Sequence, residues 1–413
     1  MDNYVRDPSC AFTVMKTLAA STINGWSILC LAFSVLLAHW GCVARAQSQQ
    51  IEPAGAAGSA NKPDSNLSVD EFLPESKAAL HFEVDTKFAS DSSSVVGLYL
   101  PSIGEQTPKS ITAAAKRFVS SLNEEQLKKI QYELSSQERS LWSNLPVRPN
   151  AGGLRFDAME HLQIEKFLKL LAHVLSPSGY EKMRLIMLGD DQLLRNGRGR
   201  PGFGISNFSV AIFGQPSETE LWAIQLDGHH LGLNIAIAGE NITMAPSFIG
   251  AQPANYTLGP HAIEPMKTEG AAGFKLAQML DKEQFKEALV RDTRGDLKLG
   301  PGKDGKKLKT QGIACSKFTE PQQQQLMRLV AAWVGNLPKA QARKRFNEIQ
   351  AEMDQMYFSW SGSREPGGDA SYTIQGPSLV IEFAYQDLGG VPDQHLHSQY
   401  RNPKNEYGAG FKK

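Results

Sequence analysis

Four histidines occur as two close pairs in the sequence. The segment DQHLHSQYRNP near the C-terminus holds His395 and His397, and the segment LDGHHLGLN holds His229 and His230. In an extended backbone, residues two positions apart project on the same side. His395 and His397 are therefore predicted to direct their imidazoles toward one point, where they could bind a metal ion.

A mononuclear metal site needs a third or fourth ligand from elsewhere in the chain. His229 and His230 are the best candidates, although adjacent residues of a strand face opposite sides. We therefore expect one of them to bind the ion and the other to support it. The predicted cofactor is a divalent metal. Zinc suits imidazole ligands best, and copper or iron also fits a histidine-rich site.

Glu382 and Arg401 are the charged residues assigned to the same site. Glu382 is a lone carboxylate in the apolar segment LVIEFAY, and a buried carboxylate needs a metal, a histidine or an arginine as partner. One interpretation places Glu382 at the metal, and the other pairs it with Arg401. Arg401 itself is expected either to bind a carboxylate or phosphate of the substrate or to anchor the C-terminus.

Other catalytic arrangements have little support. The sequence contains neither the G-x-S-x-G elbow of a serine hydrolase nor an H-E-x-x-H metalloprotease helix. Cys315 is the sole cysteine after residue 46, so no disulfide framework forms there, and it is predicted to be a small buried apolar residue. The glycine-rich basic segment GDLKLGPGKDGKKLKTQG lacks P-loop spacing and is predicted to be a solvated loop.

Composition restricts the class of partner. The 413 residues include 43 Lys and Arg against 43 Asp and Glu, and 41% are hydrophobic. This chain can form a large core, and its balanced charge argues against binding of nucleic acid. The predicted partner is a small polar or anionic ligand.

The N-terminus has the pattern of an export signal. An apolar run at Trp26–Val43 follows Lys16 and precedes the small residues Ala44 and Ala46, which fit a signal peptidase site. Residues 1–46 are therefore predicted to be a signal peptide, and the protein to be exported to the periplasm or the extracellular space without a stable membrane span. Two alternatives remain: an uncleaved N-terminal anchor and a lipoprotein site at Cys42.

The remaining chain is predicted to form one α+β domain. Residues 47–75 are rich in Gln, Ala, Gly, Ser and Pro and read as a flexible linker. Residues 76–413 form the domain, in which a helical N-terminal part precedes a mixed or antiparallel sheet with flanking helices. The order is helices, strands, helices, strands, without an internal repeat, and the two groups of strands are expected to pair in a common sheet.

Several spaced motifs resemble an uncharacterised family catalogued as domain of unknown function 3500. They are FGQPSETELWAIQLDGHHLGLNIAIAGENITMAPSFIGAQPA in the middle, YFSWSG, YTIQGPSLVIEFAYQ and HLHSQYRNPKNEYG near the C-terminus, and ERSLWSNLP and LSPSGYEKMRLIM in the helical part. The resemblance covers about residues 108–408. Glu406 stands where the family more often has an aspartate. The resemblance implies a single domain with the four histidines, Glu382 and Arg401 as its polar hallmarks, and it implies no particular activity.

The sequence thus favours an exported metal-dependent enzyme, with hydrolysis as the leading reaction. Metal-dependent redox chemistry is one alternative, because copper and iron also bind histidine-rich sites. A second alternative is a metal-free exported binding protein in which the histidines and Arg401 bind a polar ligand. A third is a structural polar network, with the function elsewhere on the surface.

Overall fold

A computed structural model describes residue 71 and residues 105–146, 152–195, 202–386 and 395–411. All of these residues belong to one compact unit, Asp64–Lys413. The predicted signal peptide and nearly all of the predicted linker lie outside the described residues. Among the described helices, none combines the length and the apolar character needed to cross a membrane.

The described part of the chain contains eight α-helices. In chain order they are α1 (Pro108–Val119), α2 (Glu124–Ile130), α3 (His161–Val174), α4 (Pro177–Arg195), α5 (Lys267–Met279), α6 (Lys282–Ala288), α7 (Glu320–Val334) and α8 (Lys339–Gln350).

The same part contains fifteen strands. They are β1 (Gln131–Tyr132), β2 (Leu154–Arg155), β3 (Ser209–Phe213), β4 (Trp222–Gly228), β5 (Leu231–Ala238), β6 (Asn241–Thr243), β7 (Ser247–Ala251), β8 (Tyr256–Leu258), β9 (His261–Ile263), β10 (Leu289–Arg291), β11 (Ile313–Ala314), β12 (Tyr357–Gly362), β13 (Ala370–Gln375), β14 (Val380–Tyr385) and β15 (Leu396–Arg401).

Thirteen of these strands form one mixed sheet, in the order β1-β3-β4-β5-β7-β15-β14-β13-β12-β10. Three short strands attach at its sides: β2 to β3, β6 to β5 and β11 to β12. Neighbours are antiparallel except at the two ends, where β1 with β3 and β10 with β12 are parallel. The predicted α+β class and the common sheet are confirmed, since β7 of the first group of strands pairs with β15 of the second.

Two local predictions differ from the structure. The sequence pattern predicts one helix at about residues 273–290. The structure has two helices there, because Asp281 caps a new helix by accepting a hydrogen bond from the backbone N–H of Gln284. In β5, large apolar residues alternate with small or polar ones, a pattern that predicts a half-buried strand. The strand is instead buried along nearly its whole length. Its alternating small and polar residues face a covered side of the sheet and not solvent.

The two faces of the central strands differ in chemistry. In β15, Ser398 and Tyr400 face helix α7, where Trp333 donates a hydrogen bond to Ser398 Oγ (3.0 Å) and stacks on Tyr400. His397 and Arg401 alternate with them and therefore project from the opposite face. Helix α7 thus covers one face of β15, and the side chains of His397 and Arg401 lie on the other.

The chain folds as two topologically equivalent halves, residues 108–251 and 267–401. The elements α1, α2, β1, β2, α3, α4, β3, β4, β5 and β7 correspond in order to α5, α6, β10, β11, α7, α8, β12, β13, β14 and β15. Under this correspondence the order of the main sheet reads the same from either end, with its midpoint between β7 and β15. The expectation of a chain without an internal repeat is therefore wrong at the level of topology.

A duplicated pair of glutamines supports this correspondence. Gln126 and Gln163, the third residues of α2 and α3, exchange side-chain hydrogen bonds of 2.9 and 3.0 Å. Gln284 and Gln322, at the same positions of α6 and α7, exchange bonds of 3.1 and 2.8 Å. Each glutamine also closes a capping box at the start of its own helix. The halves thus conserve hydrogen bonding where the surrounding sequence differs.

Candidate metal centre

The first pair of histidines forms a tight turn. Gly228 pairs with Leu231 across the hairpin of β4 and β5, so His229 and His230 are the two residues of the turn. His230 has a φ of 65°, in the left-handed region that non-glycine residues seldom adopt. Backbone conformations of this kind cost free energy and persist where the surroundings enforce them.

The surroundings of His230 do enforce it. Its backbone N–H donates to Asn144 O (3.1 Å), and its carbonyl accepts a hydrogen bond of 2.7 Å from Gly250 N–H. These bonds tie the turn to the segment of residues 141–146 and to strand β7. The side chain is 2% exposed and faces the beginning of β15.

Three histidine nitrogens converge at this point. His230 Nε2 lies 2.8 Å from His395 Nε2, which lies 3.0 Å from His397 Nε2. Their ligand atoms all lie within 4.8 Å of one another, which makes them a group able to hold a metal ion. The predicted pairing of His395 with His397 on one side of an extended segment is what the structure shows.

Hydrogen bonding alone satisfies this arrangement poorly. A neutral imidazole Nε2 either carries one hydrogen or offers one lone pair. His395 Nε2 faces two other Nε2 atoms, so at most one of the two contacts can be a well-aligned hydrogen bond. Burial and the neighbouring imidazoles hold the pKa of His230 well below its usual value, and burial does the same for the pKa of His397. The lowered pKa values favour the neutral form of His230 and His397, the form in which imidazole binds metals.

A glycine makes the approach of the rings possible. A Cβ atom at Gly250 would lie 2.7 Å from Cδ2 of His230 and 3.0 Å from Cδ2 of His397. Real Cβ atoms do not approach carbon so closely. On the same strand, the ring of Phe248 packs edge-on against His397 at 4.9 Å between centroids. Strand β7 thus leaves space for the imidazoles at Gly250 and restricts the ring of His397 through contact with Phe248.

A second group lies beside the first. Asp190, His229 and His230 also bring ligand atoms within 4.8 Å of one another. Asp190 Oδ1 lies 2.5 Å from His229 Nδ1, and its Oδ2 accepts a hydrogen bond of 2.7 Å from Gly204 N–H. Burial raises the pKa of the Asp190 carboxyl, although His229 and Gly204 oppose that effect. The ring of His229 lies against His230, at 3.7 Å between centroids.

Asp190 is the residue of this centre that sequence reasoning missed. It lies in the segment IMLGDDQLL, where two acidic residues follow an apolar stretch of helix α4. Buried carboxylates need partners, so the sequence of this segment indicated that Asp190 would be paired. It did not indicate the partner, because His229 is 39 residues away in the chain.

Glu382 is not brought into the centre. Its two carboxylate oxygens accept backbone hydrogen bonds from Lys298 and Leu299, each 3.0 Å long. Burial raises the pKa of its carboxyl, and the two backbone bonds counteract that effect. The partner of this buried carboxylate is thus mainly a loop backbone.

Arg401 also lies apart from the histidines, four residues farther along β15. Its guanidinium forms ion pairs with Asp304 and Glu406 and donates to the carbonyls of Leu299 (3.2 Å) and Lys303 (2.9 Å). These contacts favour the interpretation of Arg401 as an anchor for the C-terminal segment and the loop that covers the sheet.

Cys315 is also placed as expected. It is fully buried in the core, where desolvation raises the pKa of its thiol. A thiol in that environment is a poor nucleophile.

The chain belongs to the family described as protein of unknown function (DUF3500), whose family model matches residues 104–409. The resemblance expected from the spaced motifs is thereby confirmed. Comparisons with curated proteins and with solved structures found no match.

Proposed function

We propose that the protein is a metal-dependent enzyme, most simply a hydrolase, whose ion is bound by His230, His395 and His397. The observation that carries this proposal is the convergence of three histidine Nε2 atoms, in which His395 Nε2 lies 2.8 Å from His230 Nε2 and 3.0 Å from His397 Nε2. A cation would accept all three lone pairs at once, which no arrangement of hydrogens can do.

Three imidazoles favour zinc with one coordination position left for water or substrate. An ion of this kind supplies Lewis acidity, either toward a substrate oxygen or toward a water molecule whose pKa it lowers. Copper and iron accept the same ligands. For that reason metal-dependent redox chemistry stays the alternative reaction class, and the identity of the ion is what separates the two.

Asp190 and His229 support the site from outside the ligand set. A carboxylate that accepts the Nδ1 hydrogen of a histidine fixes the tautomer and the orientation of the ring. Here the oriented ring of His229 packs against His230 and keeps that ligand in place. Export remains part of the proposal and rests on the leader pattern of residues 1–46.

The test is elemental analysis of the purified protein beside a His395→Ala/His397→Ala variant. The matched control is His161→Ala/His261→Ala, which removes two histidines outside the centre. Circular dichroism establishes that each variant is folded. We expect about one metal ion per chain in the parent and the control, and none in the first variant.

The absence of metal from the folded parent, even after incubation with zinc, copper and iron salts, would refute the proposal. The metal-free binding protein would then be the function to test, with polar ligands in place of metals.

A further inference from the structure

Two segments that contact the histidine turn carry exposed leucine side chains. The described residues include five large hydrophobic side chains that are exposed: Leu141, Leu145, Leu162, Leu194 and Val290. Isolated exposed leucines are ordinary on protein surfaces. Three of these five, however, lie in two short segments that contact the histidine turn.

The first segment is the loop that holds the backbone of His230. Its residue Asn144 accepts the hydrogen bond from His230 N–H, and Ser143 N–H donates to Asp227 at the end of β4 (3.2 Å). Leu145 follows directly and is 57% exposed. A fixed backbone therefore presents this leucine to solvent next to the turn.

The second segment consists of the C-terminal end of α4 and residues 202–204. Asp190 in this helix contacts His229, and Leu194, one turn later, is 45% exposed. Leu194 lies close to Gly204, since a Cβ atom at that glycine would be 2.7 Å from its Cδ2. The ring of Phe203 lies 4.3 Å from that of His229.

We propose that Leu145 and Leu194 determine substrate specificity by contacting the apolar body of a substrate whose polar head binds the metal. This inference rests on the proposed metal site and adds the class of substrate: an aliphatic or aromatic compound with one carbonyl-type or other metal-binding group. The alternative determinant, Arg401, already has ion pairs with Asp304 and Glu406. Arg401 is thus already paired, and we assign the contacts with the substrate to the apolar side chains of Leu145 and Leu194.

The test measures the affinity of alkyl hydroxamates, which bind metals through the head group, for the zinc-loaded protein. Acetohydroxamate and octanohydroxamate differ only in the length of the chain, and titration calorimetry gives both affinities. Burial of only a few methylenes makes the longer probe at least about tenfold tighter. In Leu145→Ser and Leu194→Ser variants that ratio falls to about threefold or less.

Leu162→Ser is the matched control, because Leu162 on α3 is equally exposed (58%) and lies outside both segments. It keeps the full ratio. Equal affinities of the two probes for the parent would overturn the inference and leave the metal site intact. A chain-length preference that survives both leucine substitutions would overturn the assignment of these residues. Failure of the protein to load with zinc would overturn the metal site and this inference together.

Discussion

The two halves of the molecule have the same topology but different side chains at equivalent turns. In the N-terminal half, His229 and His230 form the turn between β4 and β5. In the C-terminal half, Pro377 and Ser378 form the turn between β13 and β14, where Gly376 N–H donates to the carbonyl of Leu379. One turn contributes to the candidate metal centre, and its counterpart does not.

The polar and charged side chains at the C-terminal turn pair with one another. Ser378 donates from its hydroxyl to Glu352 (2.6 Å), and Arg345 donates to the same hydroxyl (3.1 Å). Lys404 adds an ion pair of 2.9 Å with Glu352. These groups pair an acceptor with a donor or an anion with a cation, whereas the histidine centre brings together three imidazole nitrogens of the same kind.

The difference teaches that the repeat specifies the backbone and not the site. The centre combines the turn between β4 and β5 of the N-terminal half with histidines at the final strand of the C-terminal half. The equivalent turn of the C-terminal half lacks histidines, so the centre is not repeated there. Substitutions at equivalent positions in the two halves should therefore have equal effects on folding and unequal effects on metal binding.

The largest expected effect follows from His230→Ala compared with Ser378→Ala. Removal of one of three ligands should weaken zinc binding more than about a hundredfold, beyond the 10–100-fold typical of groups that only support a ligand. Ser378→Ala should leave the affinity of the parent unchanged. Competition with a chromogenic zinc chelator measures both. Equal affinities of the two variants would remove the proposed contrast between the halves.

The next effect comes from Asp190→Asn, which keeps the shape of the side chain and removes its charge. We expect about 10–100-fold weaker zinc binding, because the amide no longer orients His229 as a carboxylate does. The comparison is Glu352→Gln at the equivalent turn, where zinc affinity should not change. A result in which both variants bind zinc as the parent does would show that Asp190 serves folding alone.

A smaller effect is expected from Gly250→Ala. The added methyl would lie 2.7 Å from the His230 ring, so the ring must move by more than the ±0.2 Å within which ligand distances hold. Zinc affinity should fall at least about tenfold. Gly300→Ala is the control, because its nearest neighbour to an added Cβ is 4.0 Å away. Unchanged affinity in Gly250→Ala would mean that the rings are less confined than the geometry implies.

Much of the fold was predictable because local patterns determine it. Asn123 fits a helix N-cap and predicts the start of α2, and the alternation of large apolar with small or polar residues in LGLNIAIAG predicts β5. The convergence of His395 with His397 also followed from local geometry, since their spacing needs only extended backbone.

The rest depended on contacts between distant segments. The pairing of Asp190 with His229 spans 39 residues, and the duplication is expressed in topology and in hydrogen-bonded glutamines more than in residue identity. Glu382 shows a second limit of prediction from sequence, since a residue can be recognised while its partner cannot. Its need for a partner was evident from the sequence, but the partner is the backbone of Lys298 and Leu299, which no side-chain pattern records.

The smallest expected difference concerns the duplicated glutamines, and it tests the equivalence of the halves directly. Gln163 donates to Ser121 O and Gln322 to Met279 O, each at 2.8 Å, and both are buried. Substitution of either by alanine leaves buried polar groups without partners and should lower the free energy of unfolding by about 1–3 kcal/mol.

The two losses should agree within about 1 kcal/mol, since the bonds removed are the same in kind and number. Urea denaturation of the metal-free protein measures both, and zinc affinity should be unaffected in either variant. A large loss in one half beside a negligible loss in the other would show that the repeated hydrogen bonds are equivalent in geometry but not in energy. The halves would then differ in stability as well as in metal binding, and the contrast between them would not be confined to the residues of the two equivalent turns.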